Sequence, residues 1–168
     1  MRVDPFHIMA KPIGPECNLD CSYCYYTEKA ALYPPRTQFC MTDAVLETYI
    51  KDYIAASALP EIMFFWQGGE PTLLGLDFFE SVVELQNKYK PENQTVTNSL
   101  QTNGTLIDDS WVGFLAENNF LVGISIDGPA RLHDRFRVGK KDEKTFVKVE
   151  QAIKILQAGG VEYNTLTT

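Results

Sequence analysis

The stretch EIMFFWQGGEPTLLGLDFFESVVELQNKY, residues 61–89, decides the architecture. After Glu61 its opening is apolar and aromatic-rich, which reads as a short, fully buried strand without alternation. Gln67-Gly68-Gly69-Glu70-Pro71 then interrupts the run with turn chemistry. From about Asp77 to Tyr89 the residues Phe79, Val82, Val83, Gln86 and Tyr89 fall on one side of a helix. Strand, glycine turn and amphipathic helix together are the start of a crossover to a parallel strand.

The same rhythm continues outward from this unit. Upstream, Phe6 to Lys11 reads as a short strand. A helix starts after the N-cap Thr42, with Leu46, Tyr49, Ile50, Tyr53 and Ile54 at helical spacing, and stops at Leu59-Pro60. Downstream come a strand near Gln94–Gln101, a helix from Asp108 to about Glu117 and the strand FLVGISI, 120–126. A last helix, about Thr145 to Ala158, places Phe146, Val149, Ile153 and Leu156 together and ends at Gly159-Gly160. The strand VEYNTLT, 161–167, follows. Four strand–helix units and a fifth strand predict an α/β fold with a parallel sheet and right-handed crossovers. A final strand without a covering helix leaves a parallel edge open, so the chain is expected to be a piece of a longer protein, cut after its fifth strand.

The 168 residues are 45% hydrophobic and 22% charged, the profile of a globular domain able to bury roughly 70% of its unfolded surface. With 15 basic against 22 acidic residues the net charge is −7, opposite in sign to a phosphate-tracking nucleic-acid binder. No apolar run approaches the ~20 residues of a membrane span, and MRVDPFHIMAKPIG carries no apolar signal core. No nucleic acid, no membrane and a cytoplasmic location are therefore expected.

Parallel α/β sheets bind ligands at the carboxyl ends of their strands. The unusual residues gather there: a cysteine loop after the first strand, QGGEP after the second, TNG after the third and SIDGP after the fourth. In the loop Cys17-Asn-Leu-Asp-Cys21-Ser-Tyr-Cys24, three thiols fall within eight residues. Three thiolates suit three irons of a 4Fe–4S cluster and leave the fourth iron open. Zinc is a second reading, although His7 and His133 offer no further ligand pair, and unligated buried cysteines are a third. Cys40, outside this spacing, reads as a small packed residue.

These motifs, in this order, resemble the radical S-adenosylmethionine superfamily. The resemblance covers essentially the whole chain and implies a partial (β/α) barrel, here truncated. It implies that Cys17, Cys21 and Cys24 hold a 4Fe–4S cluster whose fourth iron is chelated by S-adenosylmethionine. The reduced cluster then splits this cofactor to a 5′-deoxyadenosyl radical that abstracts a substrate hydrogen. By the same resemblance Tyr23 lies beside the adenine, and Gly68, Gly69 and Glu70 receive the cofactor's ammonium. Ser125 contacts its ribose or methionyl part, and Arg137 pairs with its carboxylate. A glycine's freedom to let backbone approach and a guanidinium's fork give these roles independent sense. Each residue also has an ordinary reading. Gly68-Gly69 and Gly128-Pro129 serve equally as turns, Glu70 and Asp127 as solvated acids, and Ser125 as a core hydroxyl. Arg137 fits a solvated basic loop with Arg131, Arg135, Lys140 and Lys141, and His7 and His133 fit structural positions.

The stretches CNLDCSYCYY, FFWQGGEPTLLGLDFF, SLQTNGTLIDD and FLVGISIDGPARLHDRFRV are similar, more narrowly, to anaerobic sulfatase-maturating enzymes. That likeness implies oxidation of a cysteine or serine of a sulfatase polypeptide to Cα-formylglycine, with electrons from a donor such as flavodoxin or ferredoxin. It places Gln67 and Asn103 at strand-end polar positions near the peptide and cofactor; Leu73, Leu74 and Leu76 fit a pocket wall and ordinary packing equally well. It puts the catalytic base and a cysteine-rich domain with two auxiliary clusters beyond Thr168, so this chain alone is expected to bind a cluster without turning over peptide. Another peptide-modifying maturase of the superfamily, and a non-catalytic zinc or iron–sulfur interaction module, remain the alternatives.

Overall fold

The computed structural model describes residues 6–34, 37 and 39–168; residues 1–5 of the amino-terminal segment lie outside them. Five strands form one parallel sheet in sequence order: β1 (Met9–Ala10), β2 (Glu61–Trp66), β3 (Thr95–Thr102), β4 (Phe120–Ser125) and β5 (Tyr163–Leu166). The helices are α1 (Asp43–Ala56), α2 (Leu76–Tyr89), α3 (Asp109–Glu117), α4 (Ala130–Phe136) and α5 (Phe146–Ala158), with 3₁₀ turns at Lys29–Leu32 and Pro71–Leu74. Right-handed crossovers that always step the same way put their helices on the same face. One core accordingly joins Ile62, Phe64 and Trp66 of β2, Leu100 of β3 and Phe120, Val122 and Ile124 of β4 to Leu46, Phe79, Leu115 and Leu156 of the helices. Each such side chain contributes roughly 1.5–3 kcal/mol on burial, so this face holds the fold together. The expected α/β architecture is present, with five parallel strands in an unclosed sheet.

The other face is uncovered, and this corrects the reading of β2 as buried on both sides. Burial alternates along it: Ile62, Phe64 and Trp66 are buried, while Met63 and Phe65 on the inner face are only half-buried. The five strands form an unclosed sheet, and among the described residues the hydrophobic core lies on its other, helix-bearing face. A polar cluster sits inside the helix-side core. Trp66 Nε1 and Gln86 Nε2 both donate to Asn98 Oδ1 at 2.8 and 2.9 Å, and Asn98 Nδ2 donates back to Gln86 Oε1 at 2.9 Å. Every atom of that cluster is paired, which explains an amide within the buried stripe of α2.

Helix ends follow sequence chemistry. Thr42 and Asp108 cap α1 and α3 by accepting from Val45 N and Trp111 N. Gly160, at φ +72°, ends α5 as Val161 N reaches Leu156 O and Gly160 N reaches Gln157 O, the paired bonds of a left-handed cap. The start of α5 is capped from elsewhere: Asp134, on α4, accepts from Thr145 N and Phe146 N.

Three further expectations are corrected. The first strand is two residues long, not six, because only Met9 and Ala10 pair with Phe65 and Trp66, and Phe6, His7 and Ile8 are exposed. Residues 130–136 are a helix rather than a basic loop. Cys40 is exposed, not packed: Met41 N donates to Pro12 O and Met41 packs on the core, which turns the preceding side chain outward. No helix among the described residues is long and apolar enough to cross a membrane.

Candidate cluster and cofactor site

The cysteine loop leaves β1 and is laced to the last residue of α4 and the segment that follows it. Asp20 N donates to Val138 O at 2.8 Å, Ser22 N to Phe136 O at 3.0 Å, and Leu19 bridges Gly139. A turn closed by Cys24 N and Cys21 O brings those two residues together. Cys17, Cys21 and Cys24 are free thiols that line one cleft of about 870 Å³ with Asn18, Leu73, Thr105 and Lys140. That volume falls in the roughly 300–1,000 Å³ range of small-molecule sites. Burial pushes the Cys21 thiol up to about 11 despite the nearby Arg137, and burial likewise raises Cys17. Both are held as thiols until a metal displaces their protons.

What approaches the two glycines after β2 is the chain itself. Gly68 has φ +130°, and a Cβ on Gly69 would lie 1.8 Å from the carbonyl oxygen of Glu16. Gly69 N donates to Gly14 O at 2.8 Å and Glu70 N to Glu16 O at 2.7 Å. The turn after β2 thus grips the residues immediately before Cys17. The Glu70 side chain points into the protein, 1% exposed. Its Oε1 accepts from Thr72 N, Thr72 Oγ1 and Thr102 Oγ1, and its Oε2 from Asn103 N at 2.6 Å. Burial pushes its carboxyl up against those four bonds. Asn103 is also engaged within the protein, donating to Asn18 Oδ1 at 2.9 Å and to the Cys17 sulfur at 3.7 Å.

Beside Cys21, three residues from distant parts of the chain converge. Arg137 Nε donates to Asp127 Oδ2 at 2.9 Å, with side chains 11% and 5% exposed. The Tyr23 hydroxyl donates to the same carboxylate oxygen, and the Arg137 guanidinium lies 5.4 Å from the Tyr23 ring centroid. Burial opposes ionisation of Asp127, but Tyr23 and Arg137 outweigh it and hold the carboxyl below its usual value. Arg137 is therefore not part of a solvated loop. Asp127, read from sequence as a solvated acid, is buried instead and is the hub of this pairing; its place in the strand-end SIDGP motif was its only signal. Ser125 faces the uncovered side of the sheet and accepts from Gln101 Nε2 at 3.1 Å. Gln67, whose amide meets the Met9 sulfur, lines a separate cavity of about 180 Å³ on that side with Ser99, Gln101 and Leu166. Leu73 borders the cysteine cleft, whereas Leu76 packs against the core.

His133 is fully buried, as a structural histidine, and it braces this corner. Thr145 Oγ1 donates to Arg137 O at 2.6 Å, so it accepts from His133 Nε2 at 3.0 Å, and His133 Nδ1 accepts from Asp127 N at 3.3 Å. The ring is neutral in this arrangement. Burial and then the Arg137 charge hold its pKa below the ordinary value. An unfolded histidine titrates near ~6.5, so the folded chain binds fewer protons just below that pH. This stabilisation is complete above about pH 6.5 and is lost as pH falls from there towards the lower folded value. Urea midpoints of the metal-free protein at pH 7.5 and 5.5 should drop more for the native chain than for His133→Asn. Equal drops would assign the pH dependence to other groups.

The sequence model of the radical SAM superfamily matches residues 12–168. The chain belongs to the radical SAM superfamily. It is 46% identical over 162 residues to a serine-type anaerobic sulfatase-maturating enzyme of Bacteroides thetaiotaomicron, covering 96% of this chain and 39% of that one. It is 44% identical over 162 residues to a cysteine-type enzyme of the same name from Clostridium perfringens, covering 96% and 44%. Among solved structures it matches native anSMEcpe with bound AdoMet and Cp18Cys peptide at a TM-score of 0.87 and 44% identity, over 97% of this chain and 43% of that chain. Streptococcus suis SuiB, bound to precursor peptide SuiA, shares the fold at a TM-score of 0.62 and 17% identity. The chain thus spans about two-fifths of the length of the curated relatives it matches.

A radical SAM protein carries a 4Fe–4S cluster and S-adenosylmethionine, and the residues present fit them. No three His, Cys, Asp or Glu side chains among the described residues converge on a single-ion site. A cube spreads its ligands over three different irons, and three thiols lining one cleft fit that requirement. The donor set is soft, and the cleft extends past the thiols.

Proposed function

We propose that this chain is the cluster- and cofactor-binding portion of a maturase that oxidises a cysteine or serine of a sulfatase polypeptide to Cα-formylglycine. The observation that carries the reading is the 44–46% identity to both serine-type and cysteine-type maturating enzymes across 96% of the chain. The bound cluster and S-adenosylmethionine supply a hydrogen-abstracting radical. Cys17, Cys21 and Cys24 hold the cluster, and the Gly68-Gly69-Glu70 turn fixes the loop that presents them. In this reading Arg137, its Nε occupied by Asp127, turns its terminal nitrogens to the cofactor's carboxylate, a planar anion that a guanidinium binds through two bonds. Tyr23 flanks the adenine, with its hydroxyl anchored on Asp127. Gly68 and Gly69 carry the ammonium contact through their backbone, and Glu70 sets the position of that backbone from behind. Ser125 serves the ribose or methionyl part. Gln67 faces the peptide from the uncovered side of the sheet, as Gln101 does; both offer the amide chemistry that peptide backbone accepts. Asn103 serves the cysteine loop rather than the peptide. Electrons come from a small carrier of the flavodoxin or ferredoxin kind.

The test is anaerobic incubation of the full-length protein with S-adenosylmethionine, a reductant and sulfatase peptides of the CxPxR type with Cys or Ser at the target. An aldehyde trapped by a hydrazine probe at the target residue is the expected result. A crosslinked or epimerised peptide would replace this reading with another maturase of the superfamily. An unmodified peptide, with cofactor cleavage intact, would remove sulfatases as the substrate.

A further inference from the structure

Asn103 has more polar contacts than any single role in the proposed reaction demands. Its backbone N–H reaches Glu70 Oε2 at 2.6 Å, behind the turn that grips the residues before Cys17. Its Oδ1 accepts from Thr105 N at 2.9 Å and Thr105 Oγ1 at 2.7 Å. Its Nδ2 donates to Asn18 Oδ1 at 2.9 Å, and Asn18 Nδ2 closes the ring on Thr105 Oγ1 at 2.9 Å. The same Nδ2 lies 3.7 Å from the Cys17 sulfur, to which Leu19 N also donates at 3.4 Å. The residue is 7% exposed. Among the described residues, Cys17 alone of the three cluster cysteines has N–H donors aimed at its sulfur.

The geometry points to Asn103 as a positioning residue for the cluster, tying the cysteine loop to the end of β3 and donating to the Cys17 sulfur so that the cluster is easier to reduce. This rests on the reading of Cys17, Cys21 and Cys24 as cluster ligands. Reduction adds negative charge to an iron–sulfur cluster, and N–H donors to its sulfurs stabilise that charge; reduction potentials are set in part by such bonds. A donor fixed by four other hydrogen bonds needs no reorganisation when the electron arrives. The TNG motif thereby acts on the chemistry of a loop 86 residues away in sequence.

The experiment is a redox titration of the anaerobically reconstituted protein, following the EPR signal that S-adenosylmethionine shifts. Asn103→Asp keeps size and acceptor but replaces the donor with a carboxyl oxygen; Asn103→Ser removes the reach without adding charge. Both should give a cluster with a more negative potential than the native protein. Thr105→Val loosens the ring but keeps the donor, and should move the potential less. A native potential in both Asn103 variants, at full cluster content, overturns the inference. If neither variant takes up iron, a native urea midpoint for the metal-free protein supports action at the cluster, and a collapsed midpoint overturns it as merely structural. A native protein that assembles no cofactor-responsive cluster would instead sink the ligand assignment itself.

Discussion

Replacing Cys17, Cys21 or Cys24 by alanine should abolish cluster assembly, whereas Cys40→Ala should leave iron and sulfide content unchanged. The structure separates the two classes physically. The three loop thiols share one cleft, half-buried or buried, on a backbone pinned to residues 136–139 and to the turn after β2. Cys40 is exposed, and its sulfur meets only the neighbouring Met41 carbonyl. A cube held by three thiolates has no spare protein ligand, so loss of one removes a third of its protein bonds and exposes a second iron. Iron and sulfide analysis after anaerobic reconstitution, with circular dichroism to confirm an intact fold, reads the effect directly. Partial loss in all four variants alike would mean that the iron is bound adventitiously.

Much of the fold was legible because its determinants are local and repeated. The stripes of α1, α2, α3 and α5 each bury several residues at helical spacing, and Thr42, Asp108 and Gly160 mark ends by chemistry that one residue can display. Helix α4 has no such stripe. Its seven residues bury only His133, so no periodicity can form, and its capping role for α5 depends on a contact eleven residues away. The length of β1 was not legible either, since an edge strand is defined by its partner and only two of its residues have one. The one-sided burial of β2 follows from the number of strands beside it, which no property of EIMFFW records.

The site divides along the same line. Cys17, Cys21 and Cys24 are crowded in sequence, so a metal-binding reading needs no structure to suggest it. The neighbours that shape them are not: Tyr23 meets Asp127 across 104 residues, and Asn103 meets Cys17 across 86. The glycines of the QGGEP turn were read as letting backbone approach a cofactor, and in the structure the chain itself approaches Gly69. The approaching group, the Glu16 carbonyl, could be named only once two strand ends lay side by side.

Asp127→Asn should be the most damaging substitution outside the cysteines. Asp127 is 5% exposed, and among the described residues it alone pairs Arg137 Nε while accepting the Tyr23 hydroxyl. Removing one partner of a buried ion pair leaves the other charge without compensation and typically costs about 3–5 kcal/mol. Here the stranded charge would be the Arg137 guanidinium, whose side chain is 11% exposed. The carboxylate sits between the cysteine loop, through Tyr23, and the residue that ends α4, so the loss loosens both walls beside Cys21. Urea unfolding of the metal-free protein measures the change as a fall in midpoint at constant slope. A double-mutant cycle identifies its cause. Asp127→Asn combined with Arg137→Met removes the stranded charge and should recover part of the stability lost in the single variant, a non-additivity expected only of groups in contact. Strictly additive losses would show that Asp127 and Arg137 stabilise this corner independently, and would withdraw Asp127 as the residue that orients the guanidinium.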